Sequence, residues 1–498
     1  MTAGAALAVL TLAPLLAGLL SLAIRTTRAM AWLQGSLVAV LLVAMGLVVG
    51  HVASGNDAVV GHLLRVDALG AFMILMLAIV GGTGLIYALG YMGEEHARGH
   101  LGYRRYRLFF CLLNLYLWAM LLAASIDNIA LMWIAVEGST LAAALLVGFE
   151  RTKAALEAGW NYIILSFIGI ALALFGTVLV YYAAERVLGV SMEALSWSAL
   201  HRVAPTLDPT TLKLAFVFVL IGYGTKAGVA PMHTWLPDAH AEAPTPISAM
   251  LSALMLNIAL YAVLRLKNIV DQAAGTAFTA PIVIGLGLLS IAIAAVFMLI
   301  QRDYKRLFAY SSIEHVGIAL VGFGIGGPAG VFGGFFHMLN HALAKSTAFY
   351  AAGLVLLRHG HKVTERVTGL LRQDPATGGG MLLAAIALAG MPPFGLFISE
   401  VLIVTAAYQH HPWIAAVFLG LLALAFATLL AQVLPMILGE PHGSGQHVGS
   451  STRRFTVSAL IVNIVALTSL GFYMPGFLRE LFIPMIGLFG ADVAVKIP

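Results

Sequence analysis

The chain has 498 residues, of which 61% are hydrophobic and 10% charged, with a net charge of +5 and a mean hydropathy of +0.96. Soluble domains carry about 25% charged residues on a polar surface, so a water-soluble domain is excluded. The basic balance does not point to nucleic acid, because 27 Lys and Arg in so apolar a chain decorate the loops of a membrane protein.

Fourteen apolar runs separated by polar breaks follow one another. They lie near 4–24, 30–50, 67–91, 107–125, 128–148, 159–183, 211–235, 246–264, 277–300, 306–326, 330–357, 380–406, 412–438 and 455–482. Each has the roughly 20 residues that an α-helix needs to cross hydrocarbon. The short alternating segments of a β-barrel are absent. The expected fold is an all-α polytopic membrane protein of about fourteen transmembrane helices. The first run has no basic stretch before it and reads as a retained helix. Cys111 lies inside a run, so neither a disulfide framework nor a cysteine metal cluster is expected. The longest polar connections are 184–210, 358–379 and 439–454.

The basic residues divide unevenly. Loops after odd-numbered spans hold 17, from Arg25 to Arg454, and the opposite side holds 8, from Arg65 to Lys496, with Arg265 and Lys267 among them. Cytoplasmic loops carry the excess, which puts both termini on the outer, periplasmic side of an inner membrane. Two basic residues remain, Lys226 and Lys345, and both fall inside spans.

An ionisable side chain at mid-bilayer costs at least about 2.5–3.5 kcal/mol and is read as functional. Glu137 sits in Leu-Met-Trp-Ile-Ala-Val-Glu-Gly-Ser-Thr of the fifth span, and Lys226 lies in the seventh. His341 and Lys345 are one turn apart in the eleventh, and Glu400 lies in the twelfth. Blander readings stand beside these. Glu137 and Lys226 could be a structural ion pair that fixes helix register. His337, nearer a helix end, could simply bond a carbonyl. His233, His240, His359, His361, His410 and His411 fall near membrane edges, where most are expected to be solvated. No His or Cys spacing suggests a metal site. No quinone, flavin, haem or iron–sulfur motif appears, so no cofactor and no redox chemistry are expected of this chain.

Two spans share a pattern. The seventh has Gly224, Lys226, Gly228 and Pro231, and the twelfth has Gly390, Pro392, Pro393, Gly395 and Glu400. Proline removes a backbone donor and clashes with the preceding turn, so both helices are expected to break inside the membrane. Broken helices at corresponding places in two halves point to an inverted-repeat transporter. An offset of five spans, being odd, turns one copy over relative to the other. Burial disfavours the charged form of a side chain, and an opposite charge nearby favours it. Moving Glu137 toward or away from Lys226 would therefore switch Lys226 between holding and releasing a proton. Lys305, His315, His341, Lys345 and Glu400 form a candidate polar chain through the second half, and histidine suits such relays.

At these residues the chain resembles a known family. Residues 225–249 (Thr-Lys-Ala-Gly-Val-Ala-Pro-Met-His-Thr-Trp-Leu-Pro-Asp-Ala-His-Ala-Glu-Ala-Pro-Thr-Pro-Ile-Ser-Ala) are similar to the signature of the antiporter-like subunits of respiratory complex I. The same family includes Mrp-type cation/proton antiporter subunits and membrane subunits of group 4 hydrogenases. Residues 303–317, with Ser-Ile-Glu-His inside them, look most like the F component of hydrogenase-4 and formate hydrogenlyase type complexes. The resemblance implies two inverted five-helix repeats, helices 4–8 and 9–13. It divides the chain into N-terminal helices 1–3 (1–106), a first repeat (107–270), a second repeat (271–440) and a last helix with its tail (441–498). It implies proton translocation driven by a peripheral redox arm, with other membrane subunits and the lipid bilayer as partners. Glu137 matches the family's helix-five glutamate and Lys226 its helix-seven lysine. His315 and His341 match the second-half histidines, and Glu400 the helix-twelve exit residue, which is Lys in some relatives. Helix eight of relatives bears a Lys or His, where this chain has Ser252 and Asn257. Those neutral side chains cannot store a proton, and a water between Asn257 and Lys305 is the natural substitute. The sequence ends soon after its last span, so the lateral helix of the distal complex I subunit is not expected here.

Three readings compete. The first is a proton-pumping subunit of a hydrogenase or quinone-oxidoreductase type complex. The second is an Mrp-like antiporter module or part of an inorganic-carbon uptake system. The third is a purely structural membrane subunit, in which Glu137, Lys226 and Glu400 would be a needless cost.

Overall fold

The computed structural model describes residues 1–441 and 446–490; Lys496, counted above among the loop charges, lies outside the described residues. Two long helices, α1 (Ala3–Ser21) and α2 (Thr27–Ala53), open the chain. A short antiparallel hairpin follows, β1 (Ala58–Val60) with β2 (Leu64–Val66), in register Ala58 to Val66. This hairpin is a short addition to an otherwise helical chain. It forms where the polar break carries β-branched residues around Gly61, whose φ is +60°, and Asp57 pairs with Arg65 across it at 2.6 Å. Next come α3 (Ala68–Ala97), α4 (Tyr103–Ser125), α5 (Ile129–Val147) and α6 (Lys153–Leu188). The connection 184–210 is itself partly helical, with α7 (Trp197–Val203) inside it.

The seventh span is broken, as its glycines and proline imply. α8 (Pro209–Ala227) ends at Gly228, φ +74°, and the chain resumes as α9 (Trp235–Glu242). The eighth span is α10 (Thr245–Met250), a π-helical turn over Leu251–Met255, and α11 (Leu256–Ala274). α12 (Thr276–Leu299), α13 (Tyr304–Ile325) and α14 (Gly327–His359) follow, then the four-residue α15 (Leu370–Gln373). The twelfth span is also broken, into α16 (Pro375–Leu388) and α17 (Gly395–His410), with Gly390 at φ +64° in the break. α18 (Pro412–Leu438), α19 (Ser450–Phe472) and α20 (Gly476–Leu488) complete the described chain. Both breaks read Gly-x-x-Pro, 228–231 and 390–393.

Eleven helices among the described residues are long and apolar enough to cross a membrane. The expected spans outside that set are 211–235, 330–357 and 380–406. They hold Lys226, His341 with Lys345, and Glu400, and two are shortened by their breaks. The same polarity and proline content that lower their hydropathy make them interesting.

The central helices are the most enclosed. The best apolar windows of α3 and α13 are 89% and 94% buried, against 33% for α2 and 28% for α19. The outer helices instead present Trp32, Phe167, Trp413 and Val465 outward, as lipid-facing surfaces do. Close packing rests on glycine where helices cross: a Cβ at Gly222 would lie 2.6 Å from the Gly169 oxygen, and one at Gly317 2.6 Å from the Gly287 oxygen. Small residues let helix backbones approach in this way. The loops after odd-numbered spans meet on one face. Arg98 donates to the Leu357 carbonyl at 2.8 Å, Lys362 pairs with Glu242 at 2.7 Å, and Arg306 pairs with Asp238 at 3.1 Å.

One expectation about loop charges fails. Arg265 and Lys267 lie inside α11, buried, because each finds an acid: Arg265 forks onto Asp67, and Lys267 pairs with Asp271 at 2.5 Å. The Arg265 guanidinium also stacks on Trp197 and Tyr261, 4.2 and 4.9 Å from their ring centres.

Candidate functional site

In the first half, Asn128 caps α5 by accepting from the Ala130 and Leu131 amides, which starts the helix that carries Glu137 and Thr140. Lys226 stands in the last turn of α8, just before the break. A helix C-terminus, with its unpaired carbonyls, favours a cation. The lysine is 1% exposed. Its ammonium donates to the Val136 carbonyl at 2.8 Å and to the Thr140 hydroxyl. Glu137 is half-buried, and its Oε2 has no hydrogen-bond partner. The two charges interact electrostatically but form no ion pair within 4 Å among the described residues. The blander reading, a closed structural salt bridge, does not describe this geometry.

In the second half, Asp303 caps α13 through the Lys305 and Arg306 amides. Lys305, in the first turn, sends its ammonium to the Ala243 carbonyl at 2.7 Å, at the C-terminal end of α9. Lys345 is fully buried in α14 and donates to the Phe308 carbonyl at 2.9 Å, one turn beyond Lys305. His341 stacks on His315, ring centres 5.0 Å apart. His315 Nδ1 lies 3.0 Å from His337 Nε2, and His337 Nδ1 lies 2.9 Å from Ser399 Oγ. His337 is thus well inside α14 and bonds to side chains, not to a carbonyl. Glu400 follows Ser399 in the first turn and a half of α17, packed so closely on Gly390 that a Cβ there would run into its carboxylate.

Sequence reasoning missed Glu314. It is 4% exposed, its Oε2 has no hydrogen-bond partner, and it interacts electrostatically with both Lys345 and Glu400. It met the criterion applied to Glu137, a carboxylate inside a span, and stands in the Ser-Ile-Glu-His motif. Thr140 and Ser399 were missed too, since a buried hydroxyl carries no signal until its neighbour is known. Among the edge histidines, His233 and His240 are buried rather than solvated, at 8% and 0%. His240 bonds the Leu236 carbonyl at 2.8 Å in its own helix.

The link between the halves is neutral. Ser252, within the π turn, meets Ser312 of α13 with hydroxyls 2.7 Å apart. Asn257 is buried and donates to the Ala253 carbonyl of its own helix at 2.7 Å.

His315, His337 and Glu400 bring one ligand atom each within 4.8 Å of one another, the spacing of a cation-binding group. His337 has both ring nitrogens, and His315 its Nδ1, engaged in the His315–His337–Ser399 hydrogen-bond chain, while His315 Nε2 has no partner. A chain of titratable rings and a hydroxyl ending beside a carboxylate is an arrangement that can pass protons.

Residues 126–426 match the family described as NADH:quinone oxidoreductase/Mrp antiporter, TM. The chain belongs to this family. It is 40% identical over 423 residues to the hydrogenase-4 component F homolog of Methylacidiphilum infernorum (isolate V4), covering 85% of this chain and 88% of that protein. Its fold resembles a chain of the membrane-bound sulfane sulfur reductase, an archaeal respiratory membrane complex, with a TM-score of 0.83 and 24% identity over 97% of this chain and 98% of that one. It also resembles a chain of the Mrp complex from Dietzia sp. DQ12-45-1b, with a TM-score of 0.82 and 20% identity over 98% and 99%. The resemblance stated from residues 225–249 and 303–317 is borne out, and the chain is a multi-pass membrane protein of the antiporter-like type.

Proposed function

We propose that this chain is the proton-translocating, antiporter-like subunit of a multi-subunit redox-driven pump of the hydrogenase or quinone-oxidoreductase type. One observation carries the reading. Lys226 and Lys345 are fully buried in apolar helices and held by neutral oxygens only. Charges kept at such cost mark ion pathways, and a purely structural subunit has no use for them. Glu137 and Lys226 load and release a proton in the first half. Lys305, Lys345, His341, His315, His337, Glu314 and Glu400 carry one through the second, with Ser252 and Asn257 between. The likeness to a hydrogenase-4 component F homolog favours a redox partner, so other membrane subunits and a peripheral redox arm are its partners.

The two repeats, helices 4–8 and 9–13, occupy 107–270 and 271–440, between 1–106 and 441–498. The shared Gly-x-x-Pro breaks support that division. The basic loops face the cytoplasm of an inner membrane and both termini face outward, which is supported by their clustering on one face. Labelling of cysteines placed in 94–106 and 358–378 from the inside, and in 52–65 from the outside, is the expected pattern; the reverse would overturn it.

The test of function is proton pumping by the assembled complex in sealed vesicles. Lys226→Ala and Lys345→Ala are each expected to abolish it with assembly preserved. Wild-type pumping in both would remove the reading. A second reading, an Mrp-like cation/proton antiporter, draws on the likeness to the Mrp complex chain. Co-purification with no redox subunit would favour it.

A further inference from the structure

The neutral link between the halves raises a question of supply. Ser252, Ser312 and Asn257 can hydrogen-bond but cannot hold a proton, so Lys305 needs a source on its own side.

Beside it lies a polar chamber of about 180 Å³, lined by Tyr91, Glu95, His100, Arg105, Glu150 and Pro244 among others. It opens on the face where the odd-numbered loops gather and has room for several water molecules. Its wall at Pro244 adjoins Ala243, whose carbonyl takes the Lys305 ammonium at 2.7 Å. The next residue, Thr245, is fully buried and its hydroxyl has no hydrogen-bond partner, so the polar lining continues past the chamber wall.

The charged and titratable groups facing Lys305 are Lys362, Glu150, Asp303, Glu242 and the buried His240, whose Nδ1 bonds the Leu236 carbonyl of its own helix. Two of these acids are occupied. Glu242 pairs with Lys362 at 2.7 Å, and Asp303 caps α13 with Lys362 at 3.8 Å. Glu150 faces Lys305, Glu95, Lys362 and Glu242, yet forms no ion pair within 4 Å among the described residues. Glu95 meets His100 at 3.1 Å on the outer side of the same chamber. A free carboxylate beside a second one bonded to a surface histidine is a proton-collecting arrangement.

We propose that the second half takes up protons through this chamber, with Glu95 and Glu150 as collecting carboxylates and Lys305 as acceptor. The inference rests on the proton-translocation reading above and deepens it. A proton from bulk water binds a carboxylate and passes through chamber water to the neutral amine of Lys305, giving the ammonium. Its departure toward Lys345 restores the amine. The two halves are then loaded separately, and Lys305 does not depend on the serine contact between them for its protons.

The test uses the assembled complex in sealed vesicles with a fluorescent pH reporter. Glu95→Gln/Glu150→Gln is expected to slow pumping at least fivefold, with the deficit growing as pH rises and free protons become scarce. Glu150→Cys is expected to be slow, to recover most of its rate with a carboxylate-bearing thiol reagent, and to stay slow with a sulfonate-bearing one, which restores the charge but cannot hold a proton. That comparison acts on complex already assembled, so it decides the matter even where the double variant fails to accumulate. Unchanged pumping across pH in the double variant, or equal recovery with both reagents, would overturn the inlet. Lys345→Ala, run in parallel, separates the two claims. If it stops pumping while the carboxylate variants do not, only the inlet falls; if both it and Lys226→Ala pump normally, the underlying reading falls.

Discussion

Lys226 donates to the carbonyl oxygen of Val136, 2.8 Å away, and not to the carboxylate of the very next residue, Glu137. Its second partner is the Thr140 hydroxyl, one turn further along α5. The lysine is therefore solvated by neutral groups, with the acid close enough to influence it and its Oε2 without a partner.

The first expectation follows from that arrangement. Glu137→Gln should slow pumping at least tenfold, because the partner charge is lost while its shape is kept. Thr140→Val should slow it several-fold by leaving the ammonium with one partner fewer; a neutral hydrogen bond contributes about 0.5–1.5 kcal/mol and one to a charge about 1.5–3. Initial pumping rates at equal complex content give the comparison. A Thr140→Val rate equal to wild type would show that the hydroxyl is only a bystander.

Glu314 supplies the second. It stands electrostatically between Lys345 and Glu400, so Glu314→Gln should reduce pumping as severely as Glu400→Gln does. The double variant should be little worse than either single one, because both interrupt one route. Additive losses in the rate constants would place the two acids on separate routes.

How far the sequence was legible depends on what each feature rests on. Most spans, both breaks and the buried Lys and Glu of the motifs follow from local composition; the run 455–482 is an exception, since α19 ends at Phe472 and α20 begins at Gly476 inside it. The extent of α11 does not follow from composition either. Arg265 reads as a loop residue because its neutralising acid, Asp67, lies on a distant segment. The same holds for His337 and Ser399, whose roles appear only once α14 packs on α17. The hairpin at 58–66 is short and sits in a polar break, where strand periodicity has too few residues to show.

Asp67 gives the third expectation. It sits before the first turn of α3. Burial alone would raise its carboxyl, but the charge and hydrogen bonds of Arg265 prevail and hold it below the ordinary value of 3.8. A depressed acid contributes stability that is full above its unfolded value and is lost as pH falls through the folded one. Asp67→Asn, which leaves Arg265 buried and unpaired, should destabilise the protein by roughly 3–5 kcal/mol near neutral pH. The gap from wild type should narrow below about pH 4. Thermal unfolding in detergent at pH 7 and pH 3.5 measures both; a gap independent of pH would contradict the ion-pair account.

The fourth concerns Asn257. Its amide is already satisfied by Ala253 in the same helix, and the second half has its own supply. Asn257→Leu should therefore keep pumping within about twofold of wild type, since removing a satisfied amide pair costs little. A loss of tenfold or more would restore a lateral water path at this point.

The π turn at Leu251–Met255 has a consequence for everything beyond it. One residue more than an α-helix would use is accommodated there, so side chains after it are rotated by about 100° relative to an uninterrupted helix. Thr245, Ser248 and Ser252 follow one phase, and Asn257, Tyr261 and Arg265 another. Counting turns straight through this helix assigns the wrong neighbours to half of it. A single-residue deletion within 251–255 would therefore act like a twist of a shaft: it would keep the span and its hydrophobicity, yet turn Arg265 away from Asp67 or Ser252 away from Ser312.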